Sequence, residues 1–315
     1  MIKTNNNNSN LKAARKNKND EFYTQLIDIE KELKHYTEHF KDKVVYLNCD
    51  NYQSSNFYQY FVLNFEKLEL KKLITSHFNQ EGKSESTETL LIDNKLILKV
   101  NQLKGDGDFR SEECIELLKE ADIVVTNPPF SLFREYVAQL VEFEKQFVIV
   151  GNLNAITYKD IFKLIKINSL WLGYNNGDMS FKVPDYYESR ETRFWIDNNG
   201  QKWRSLGVRW FTNINHKKRN EELILYKKYN EVEYLKYDNY DAIEVSKVKD
   251  IPINYDGVMG VPISFMDKFN SNQFEILDIN PHFFIIVDSG LPKPKQLKLT
   301  GKKDPYARII IKHKK

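Results

Sequence analysis

The first half of the chain alternates short apolar runs with amphipathic segments of about ten residues, and this rhythm constrains the fold most strongly. The apolar runs are rich in β-branched residues, as buried strands are, and lie at 43–50, 71–78, 122–126 and 146–152. Most segments between them place apolar residues at the spacing of an amphipathic helix. Strands that alternate with helices form parallel sheets covered on both faces. We therefore predict an α/β fold built on a doubly wound, Rossmann-like sheet.

Three parts of the chain depart from this rhythm. Residues 79–102 contain a polar, Ser- and Glu-rich segment followed by NKLILKV, which we interpret as an inserted hairpin. Residues 1–20 hold an asparagine run and several lysines that cannot pack, so they are predicted to form a flexible basic arm. The last third carries many prolines and glycines and is predicted to be irregular. We therefore predict a main domain at 21–215 and a second unit at 216–315.

The overall composition is informative mainly through what it disfavours. The 315-residue chain has a formal net charge of +3, which is too near neutral to indicate nucleic-acid binding by itself. Its two cysteines, Cys49 and Cys114, are too few for a disulfide scaffold and lack the spacing of a zinc site. No apolar run is long enough to span a bilayer. A cytoplasmic protein without a metal site is therefore expected.

Polar side chains follow three of the predicted strands at the point where each strand ends. These segments are 48–50 (Asn-Cys-Asp), 127–130 (Asn-Pro-Pro-Phe) and 152–154 (Asn-Leu-Asn). Open α/β sheets bind ligands in the crevice beyond the carboxyl ends of their strands. We therefore expect a binding site at this edge of the sheet.

The segment 127–130 has an unusual combination of polarity and stiffness. Asn127 supplies a carbonyl acceptor and an amide donor. Pro128 fixes its own φ and restricts Asn127 to extended geometry, and Pro129 restricts Pro128 in turn. The Pro128 carbonyl is therefore held beside the Asn127 side chain, and both acceptors point into one small space. Phe130 can lay its ring over a flat heterocycle, and such stacking is worth about 1–3 kcal/mol per base.

This arrangement suits the exocyclic amine of adenine or cytosine, whose lone pair is delocalised into the ring. Acceptors on both N–H bonds favour a pyramidal nitrogen that can attack a methyl sulfonium, and a base inside a duplex must be flipped out to reach them. An Asn-Pro turn at a strand end also has a purely structural explanation, which for these residues alone carries about equal weight. The buried strand before the turn, the aromatic ring after it and the doubly wound pattern favour the catalytic interpretation.

Several longer segments resemble the EcoRI-type modification enzymes among the adenine-N6 DNA methyltransferases. The resembling segments are DEFYTQ (20–25), KVVYLNCDN (43–51) with SSNF (54–57), GDGDFRS (105–111), DIVVTNPPFSLFREY (122–136), ITYKDIF (156–162), WLG (171–173), YDNYDAI (237–243) and DIPINYDGVMGVPISF (250–265). Their order resembles the gamma arrangement of amino-methyltransferases, and they cover most of the chain. The resemblance implies a site-specific enzyme that transfers a methyl group from S-adenosylmethionine to a flipped adenine in duplex DNA, without a metal.

The resemblance also implies roles for single residues. It implies that Asn127, Pro128, Pro129 and Phe130 form the catalytic turn. It implies cofactor contacts for Tyr23, Thr24, Asn48, Cys49, Asp50, Asp108 and Phe109. In this framework 21–215 is the methyltransferase catalytic domain and 216–315 is a DNA target-recognition region. Lys217, Lys218 and Arg219 are candidate phosphate contacts, although a solvated loop is the more ordinary explanation for any single one.

Two features depart from the usual pattern of a cofactor site. The first strand-to-helix turn, YLNCDNYQSSN, contains no glycine, and the second strand ends in residues 75–77 without the acidic residue expected to hold ribose hydroxyls. Asp106 and Asp108 flank Gly107, and a tight turn explains them as well as cofactor binding does. These departures keep open a non-catalytic DNA-binding protein on the same fold.

Other substrates are compatible with the same turn chemistry, namely an RNA adenine or a protein glutamine amide. The long C-terminal third favours a DNA-reading unit. The resemblance further implies a role in restriction and modification, with a cognate restriction endonuclease as a functional partner. It implies a bacterial, phage-borne or mobile-element enzyme; a monomer is expected, with no membrane partner.

Overall fold

The structure is a computed structural model, and it describes residues 24–183, 192–280, 297–301 and 306–314. The described residues fold into two compact units. The first unit comprises residues 24–153, 175–183 and 192–214, and the second comprises residues 154–174, 215–280, 297–301 and 306–314. The predicted basic arm at 1–20 and the predicted cofactor contact Tyr23 lie outside the described residues.

The regular elements are numbered here in chain order. The α-helices of the described residues are α1 (Leu26–Leu33), α2 (Asn56–Leu63), α3 (Glu112–Glu120), α4 (Phe133–Glu142) and α5 (Lys159–Lys166). The strands are β1 (Val44–Leu47), β2 (Lys72–Ser76), β3 (Glu85–Ile92), β4 (Lys95–Gln102), β5 (Ile123–Thr126), β6 (Gln146–Asn152), β7 (Trp171–Leu172), β8 (Met179–Lys182), β9 (Phe194–Ile196), β10 (Lys202–Leu206), β11 (Val208–Thr212), β12 (Lys236–Tyr237), β13 (Tyr240–Glu244), β14 (Met259–Pro262), β15 (Phe274–Asn280) and β16 (Arg308–His313).

Seven strands of the first unit form one mixed sheet in the order β4-β3-β2-β1-β5-β6-β11. β1 pairs in parallel with β2 and with β5, and β5 pairs in parallel with β6. β3, β4 and β11 are antiparallel to their neighbours. The chain passes from β1 to β2 on one side and later to β5 on the other, so the strand order reverses between β1 and β5. A ligand crevice is expected beyond the carboxyl ends of strands at such a switch point.

Local sequence explains where these elements form. β1 (VVYL) and β5 (IVVT) are buried at every position, as strands in the middle of a covered sheet must be. α2 begins where the Ser55 side chain accepts hydrogen bonds from the N–H groups of Phe57 and Tyr58. Ser111 caps α3 in the same way by accepting from the N–H of Cys114. Both serines satisfy N–H groups that a helix leaves without a partner at its first turn.

The structure confirms the predicted alternation in this unit. Each of the four predicted parallel strands is present, and β6 has the predicted bounds of 146–152. The inserted hairpin predicted within 79–102 is also present, because β3 and β4 pair antiparallel in continuous register from Glu85 with Gln102 to Ile92 with Lys95. The hairpin extends the sheet beyond β2, which makes the sheet mixed rather than wholly parallel.

A separate antiparallel sheet of the first unit has the strand order β8-β10-β9. Met179 and Phe181 of β8 are buried in the main core cluster of this unit, and Leu206 of β10 packs against the same cluster. Phe130 also packs against it. One face of the small sheet therefore shares the core that supports the Asn-Pro-Pro-Phe segment.

The second unit contains a five-stranded sheet of order β12-β13-β14-β16-β15. The prediction that the last third is irregular is therefore wrong for these strands. Gly260 lies inside β14 because Tyr237 packs against its backbone, where a Cβ atom would collide with the phenol ring. β16 (RIIIKH) pairs with both β14 and β15. Such long-range pairing stabilises short strands whose local sequence does not indicate them. None of the described helices has the length and apolar character that crossing a membrane requires.

Candidate active site

Hydrogen bonds tie together the carboxyl ends of three neighbouring strands in the first unit. The Asp50 carboxylate follows β1 and accepts a hydrogen bond from Thr126 Oγ1, at the end of β5, at 2.5 Å. It accepts a second from Ser55 Oγ at 2.6 Å, immediately before α2. The N–H of Asp50 donates to the carbonyl of Ser76, at the end of β2, at 3.0 Å. Asp50 therefore joins both sides of the switch point.

The electrostatics of Asp50 are those of a half-buried carboxylate. Burial raises the pKa of Asp50 from 3.8 to about 6, and the hydrogen bonds from Ser55 and Thr126 offset only part of that effect. Among the described residues, no basic side chain forms an ion pair with this carboxylate. Ionising Asp50 therefore costs free energy in the protein without a ligand, and a cationic ligand would reduce that cost.

Asn48, the other polar residue at the end of β1, is held in place by a hydrogen bond from a side chain of α4. The hydroxyl of Tyr136 donates to Asn48 Oδ1, and burial raises the pKa of Tyr136, so the donor proton is retained. The Tyr136 ring meets the Phe109 ring edge to face with centroids 5.1 Å apart. Gln139 Nε2, also from α4, donates to the Phe109 carbonyl at 3.1 Å. Two predicted cofactor segments, 48–50 and 108–109, are therefore brought together through one helix.

Cys49 lies between Asn48 and Asp50 and is only partly exposed. Burial raises the pKa of the Cys49 thiol, and the nearby Asp50 carboxyl raises it further. The thiol is therefore protonated at neutral pH, and a nucleophilic role is not supported because the thiolate is the reactive form.

The turn at 105–110 brings the backbone of Gly107 close to the backbone of His77. Gly107 has a φ of +77°, and a Cβ atom there would collide with the carbonyl oxygen of His77. Ser84 Oγ donates to the same carbonyl at 2.5 Å. The Asp108 carboxylate accepts hydrogen bonds from the Arg110 guanidinium at 2.6 and 2.9 Å. Turn hydrogen bonding thus accounts for part of this motif, and a cofactor contact by Asp108 remains a prediction.

The Asn-Pro-Pro-Phe turn is held from the N-terminal side of the chain. Asn127 Nδ2 donates to Thr24 Oγ1 at 3.2 Å, and the Thr24 carbonyl accepts from Asn56 Nδ2, at the start of α2, at 2.7 Å. Thr24, predicted only as a cofactor contact, is therefore hydrogen-bonded to Asn127. Because the Asn127 amide group donates through its nitrogen here, its orientation is fixed by a neighbour.

The prolines and the phenylalanine of the turn adopt the stiff geometry expected from their chemistry. Pro129 has φ −56° and ψ 122°, and its carbonyl accepts from the N–H of Leu132 at 3.0 Å. Pro128 is buried, whereas Phe130 is only partly buried. The hydroxyl of Ser131 is buried with no hydrogen-bond partner in the described residues. The turn therefore contains a partly exposed aromatic ring and is followed by a hydroxyl without a hydrogen-bond partner in the part of the chain that the structure describes. Such groups are expected at a ligand site, whereas a closed core pairs its hydroxyls.

The predicted DNA contacts lie in the second unit, in a 3-10 turn. Lys217 is exposed. Lys218 Nζ donates to the Tyr174 carbonyl at 2.7 Å. The Arg219 guanidinium lies 3.5 Å from the centroid of the Trp171 ring, and burial lowers the pKa of Arg219. Two of the three cations are thus engaged by their own unit, and contacts to phosphate remain predictions.

Three residues of this region were not found by sequence reasoning. Thr126 and Ser55 hold the Asp50 carboxylate, and Tyr136 holds Asn48. The position of Ser55 before a helix was a detectable capping signal. The other two gave none, because a threonine ending a strand and a tyrosine on an amphipathic helix are ordinary residues until the partner is known.

Comparisons with known proteins identify the family of the chain. The chain matches the protein family described as "Adenine-specific methyltransferase EcoRI" over residues 10–314. It is 49% identical to the Type II methyltransferase M.EcoRI of Escherichia coli, over 97% of this chain and 96% of that protein. It is 44% identical to the Type II methyltransferase M.MpnI of Mycoplasma pneumoniae, over 85% of this chain and 86% of that protein.

A third relative is the Type II methyltransferase M.MgeORF184P of Mycoplasma genitalium, which is 39% identical over 95% of this chain and 97% of that protein. No solved structure matches the chain. The family match extends over nearly the whole chain, and its residues 10–314 include the turn at 127–130 and the strand ends around it. The chain therefore belongs to the EcoRI family of adenine-specific methyltransferases.

Proposed function

We propose that the chain is a site-specific DNA methyltransferase that transfers a methyl group from S-adenosylmethionine to N6 of an adenine flipped out of duplex DNA. Its proposed biological role is modification in a type II restriction system, as the names of its relatives indicate for them. The observation that carries the proposal is the Asn-Pro-Pro-Phe turn at the end of β5, beside the point where the strand order reverses.

The chemistry of the switch point fits S-adenosylmethionine, which supplies a methyl group on a positively charged sulfur when bound. The Asp50 carboxyl is half-buried, has a pKa of about 6 and forms no ion pair with a described residue. It is thus suited to a ligand that carries positive charge. Asn48 and Phe109 are proposed to belong to the same cofactor site, at the end of β1 and on the turn before α3, since both contact Tyr136.

Asn127 is proposed to make the adenine amine reactive. Its Nδ2 donates to Thr24 Oγ1, which directs the amide so that its oxygen points away from Thr24. This oxygen and the Pro128 carbonyl would accept both N–H bonds of the adenine amine, which localises the lone pair on nitrogen. The dipoles are fixed before the reaction, so they stabilise the charge that develops in the transition state without reorganising.

Phe130 is proposed to hold the flipped adenine by stacking. The ring is partly buried against the core, so one side is supported while part of the surface stays accessible. Pro128 and Pro129 limit the backbone freedom of the turn, which reduces the entropy lost when adenine is positioned.

The region 216–315 is proposed to read the target sequence, with Lys217, Lys218 and Arg219 near the phosphates. A restriction endonuclease of the same specificity is the proposed functional partner, and the enzyme is proposed to act as a monomer. Because the proposed substrate is genomic DNA of a bacterial host, the proposed place of action is the cytoplasm.

The proposal is tested by incubating the purified protein with S-adenosylmethionine carrying a labelled methyl group and with duplex DNA, RNA or protein. We expect N6-methyladenine in duplex DNA, identified by mass spectrometry of the nucleosides. Methyl transfer to RNA or to protein glutamine, with none to duplex DNA, would contradict the proposal. Absence of S-adenosylmethionine binding by calorimetry, with and without DNA, would instead favour a non-catalytic DNA-binding protein.

A further inference from the structure

Three side chains stand in a row across the small sheet of the first unit. The register pairs Trp203 of β10 with Lys182 of β8 on one side and with Trp195 of β9 on the other. Directly paired residues project from the same face of a sheet. The two indole rings are parallel within 3° with centroids 6.2 Å apart. Lys182 Nζ lies 5.5 Å from the centroid of the Trp203 ring.

The orientation of this tryptophan row is fixed by the turn between β9 and β10. Trp203 Nε1 donates to Asp197 Oδ2 at 2.9 Å. The other oxygen of Asp197 accepts from the N–H groups of Asn199 and Gln201 at 2.9 and 3.0 Å. Because Asp197 is itself held by backbone groups, the central indole is preorganised and not free to rotate.

The tryptophan row faces away from the protein core. Met179 and Phe181 point to the opposite face of β8 and are buried in the core cluster, whereas Trp195 is 41% exposed. β9 is an edge strand of the small sheet, so no described strand pairs with it on the outer side of Trp195. The outer surface of this sheet therefore carries the exposed ring of Trp195, stacked on the fixed ring of Trp203, with Lys182 on the other side of Trp203.

The charge of the sheet indicates the kind of partner. Lys182 is the charged residue that β8, β9 and β10 place on the face of the tryptophan row, whereas Lys202 and Arg204 project from the opposite face because they pair with Ile196 and Phe181. Exposed aromatic rings beside cations are the chemistry with which proteins hold unstacked nucleotides, because every base has a flat π face and every phosphate is anionic.

We propose that the tryptophan row binds the substrate DNA outside the catalytic turn. Trp195 stacks on a nucleobase left unstacked when the target adenine flips, and Lys182 pairs with an adjacent phosphate. The inference rests on the proposed function, since it needs a DNA duplex opened by base flipping. It adds a contact surface on a sheet other than the one that carries Asn127.

The test measures the affinity of the full-length protein for a cognate duplex by fluorescence anisotropy over a range of salt concentrations. Trp195→Ala should weaken DNA binding roughly tenfold, because one stacking contact is lost. Lys182→Gln should reduce the slope of log K against log salt by about 1, because one phosphate contact is lost. Neither variant should change S-adenosylmethionine affinity.

Two further variants separate DNA binding from folding. Ile196→Ala removes a 55% exposed side chain from the same strand but from the opposite face, and it should leave DNA affinity unchanged. Trp195→Phe keeps a stacking ring and should retain most of the affinity that Trp195→Ala loses.

The inference is overturned if Trp195→Ala lowers only the melting temperature, or if Ile196→Ala weakens DNA binding as much as Trp195→Ala does. A wild-type protein that neither binds nor methylates duplex DNA would overturn the proposed function itself. The two failures are therefore distinguishable.

Discussion

The two strand ends that flank the switch point are made rigid in different ways. After β5, the turn is stiffened by covalent structure, because Pro128 and Pro129 restrict the backbone. After β1, no proline or glycine shapes the turn, and its polar groups are held by side chains that arrive from elsewhere: Thr126 on Asp50, and Tyr136 on Asn48. The rigidity that the prolines give depends on consecutive residues alone. The rigidity that the side-chain hydrogen bonds give exists only in the folded chain.

The difference also predicts how each end tolerates substitution. At the β5 end, the backbone remains stiff when a side chain is removed, so a substitution there should affect chemistry more than folding. At the β1 end, the same side-chain contacts orient polar groups and affect the stability of the fold, so a substitution there should alter both activity and stability. The following variants test this contrast, in order of expected effect.

The largest effect is expected for Asn127→Ala, which removes one of the two proposed acceptors without changing the prolines. Single-turnover methylation should slow by about 100-fold or more, as when one preorganised hydrogen-bonding group is removed from an active site. The DNA dissociation constant and the melting temperature should change little. Asn127→Asp keeps an acceptor oxygen and should retain more activity than Asn127→Ala; equal single-turnover rates for all three proteins would refute the assigned role.

Asp50→Asn should act on stability and cofactor binding in opposite directions. The folded pKa of about 6 lies above the value of 3.8 expected for an exposed carboxyl, so ionising Asp50 costs folding free energy. This cost is absent below about pH 4, grows up to about pH 6 and is constant above; it reaches at most about 3 kcal/mol. The variant should therefore be the more stable protein at pH 7 to 8, with no gain at pH 4.

The same variant should bind S-adenosylmethionine roughly tenfold or more weakly at pH 7.5, because it lacks the charge that faces the ligand. Wild-type affinity should fall as the pH is lowered through 6, whereas the affinity of Asp50→Asn should not. Calorimetry at several pH values, alongside thermal melts, measures both effects. If the affinities of the two proteins for S-adenosylmethionine changed with pH in the same way, the Asp50 carboxylate would not be the charge that interacts with the cofactor.

Thr126→Val should have a smaller effect, since it removes one hydroxyl from an otherwise isosteric side chain. Loss of the 2.5 Å hydrogen bond to Asp50 leaves the carboxylate less stabilised, so the pKa of Asp50 should rise further. The acid limb of the pH–rate profile should therefore move to higher pH, with a stability loss of about 1–3 kcal/mol.

Thr75→Val is the matched control for Thr126→Val. The Thr75 hydroxyl is also buried and forms a 2.6 Å hydrogen bond, but to Thr87 of the hairpin. It should lower stability by a similar amount without moving the pH–rate profile. A shift of the profile in both variants would show that general destabilisation, not the bond to Asp50, controls the titration.

The smallest effect is expected for Ser55→Ala, which removes both the cap of α2 and a hydrogen bond to Asp50. Loss of the cap should cost about 1 kcal/mol. Ser111→Ala removes an equivalent cap from α3 and is the control, because Ser111 does not contact Asp50. Chemical denaturation should show similar losses in both, and only Ser55→Ala should weaken cofactor binding. If Ser111→Ala weakens it equally, the β1 end has no special dependence on side-chain contacts.

The sequence predicted well those structural features that depend on residues adjacent in the chain. The parallel strands, the hairpin and the stiff turn at 127–130 all follow from local periodicity, β-branching and proline chemistry. The strands of the second unit were not predicted, because β12 is two residues long and β14 contains Gly260 and ends at Pro262. Their stability comes from pairing with β16, about 50 residues further along the chain in the case of β14.

The sequence alone therefore determined the order of the parallel strands and their helices in the first unit, the family and the position of the Asn-Pro-Pro-Phe turn. Only the tertiary structure decided that Thr126 meets Asp50, that Tyr136 meets Asn48 and that Thr24 meets Asn127. The physical reason is that local propensity fixes the backbone of a segment. A hydrogen bond between side chains 76 to 103 positions apart forms only after the sheet has set the strand order.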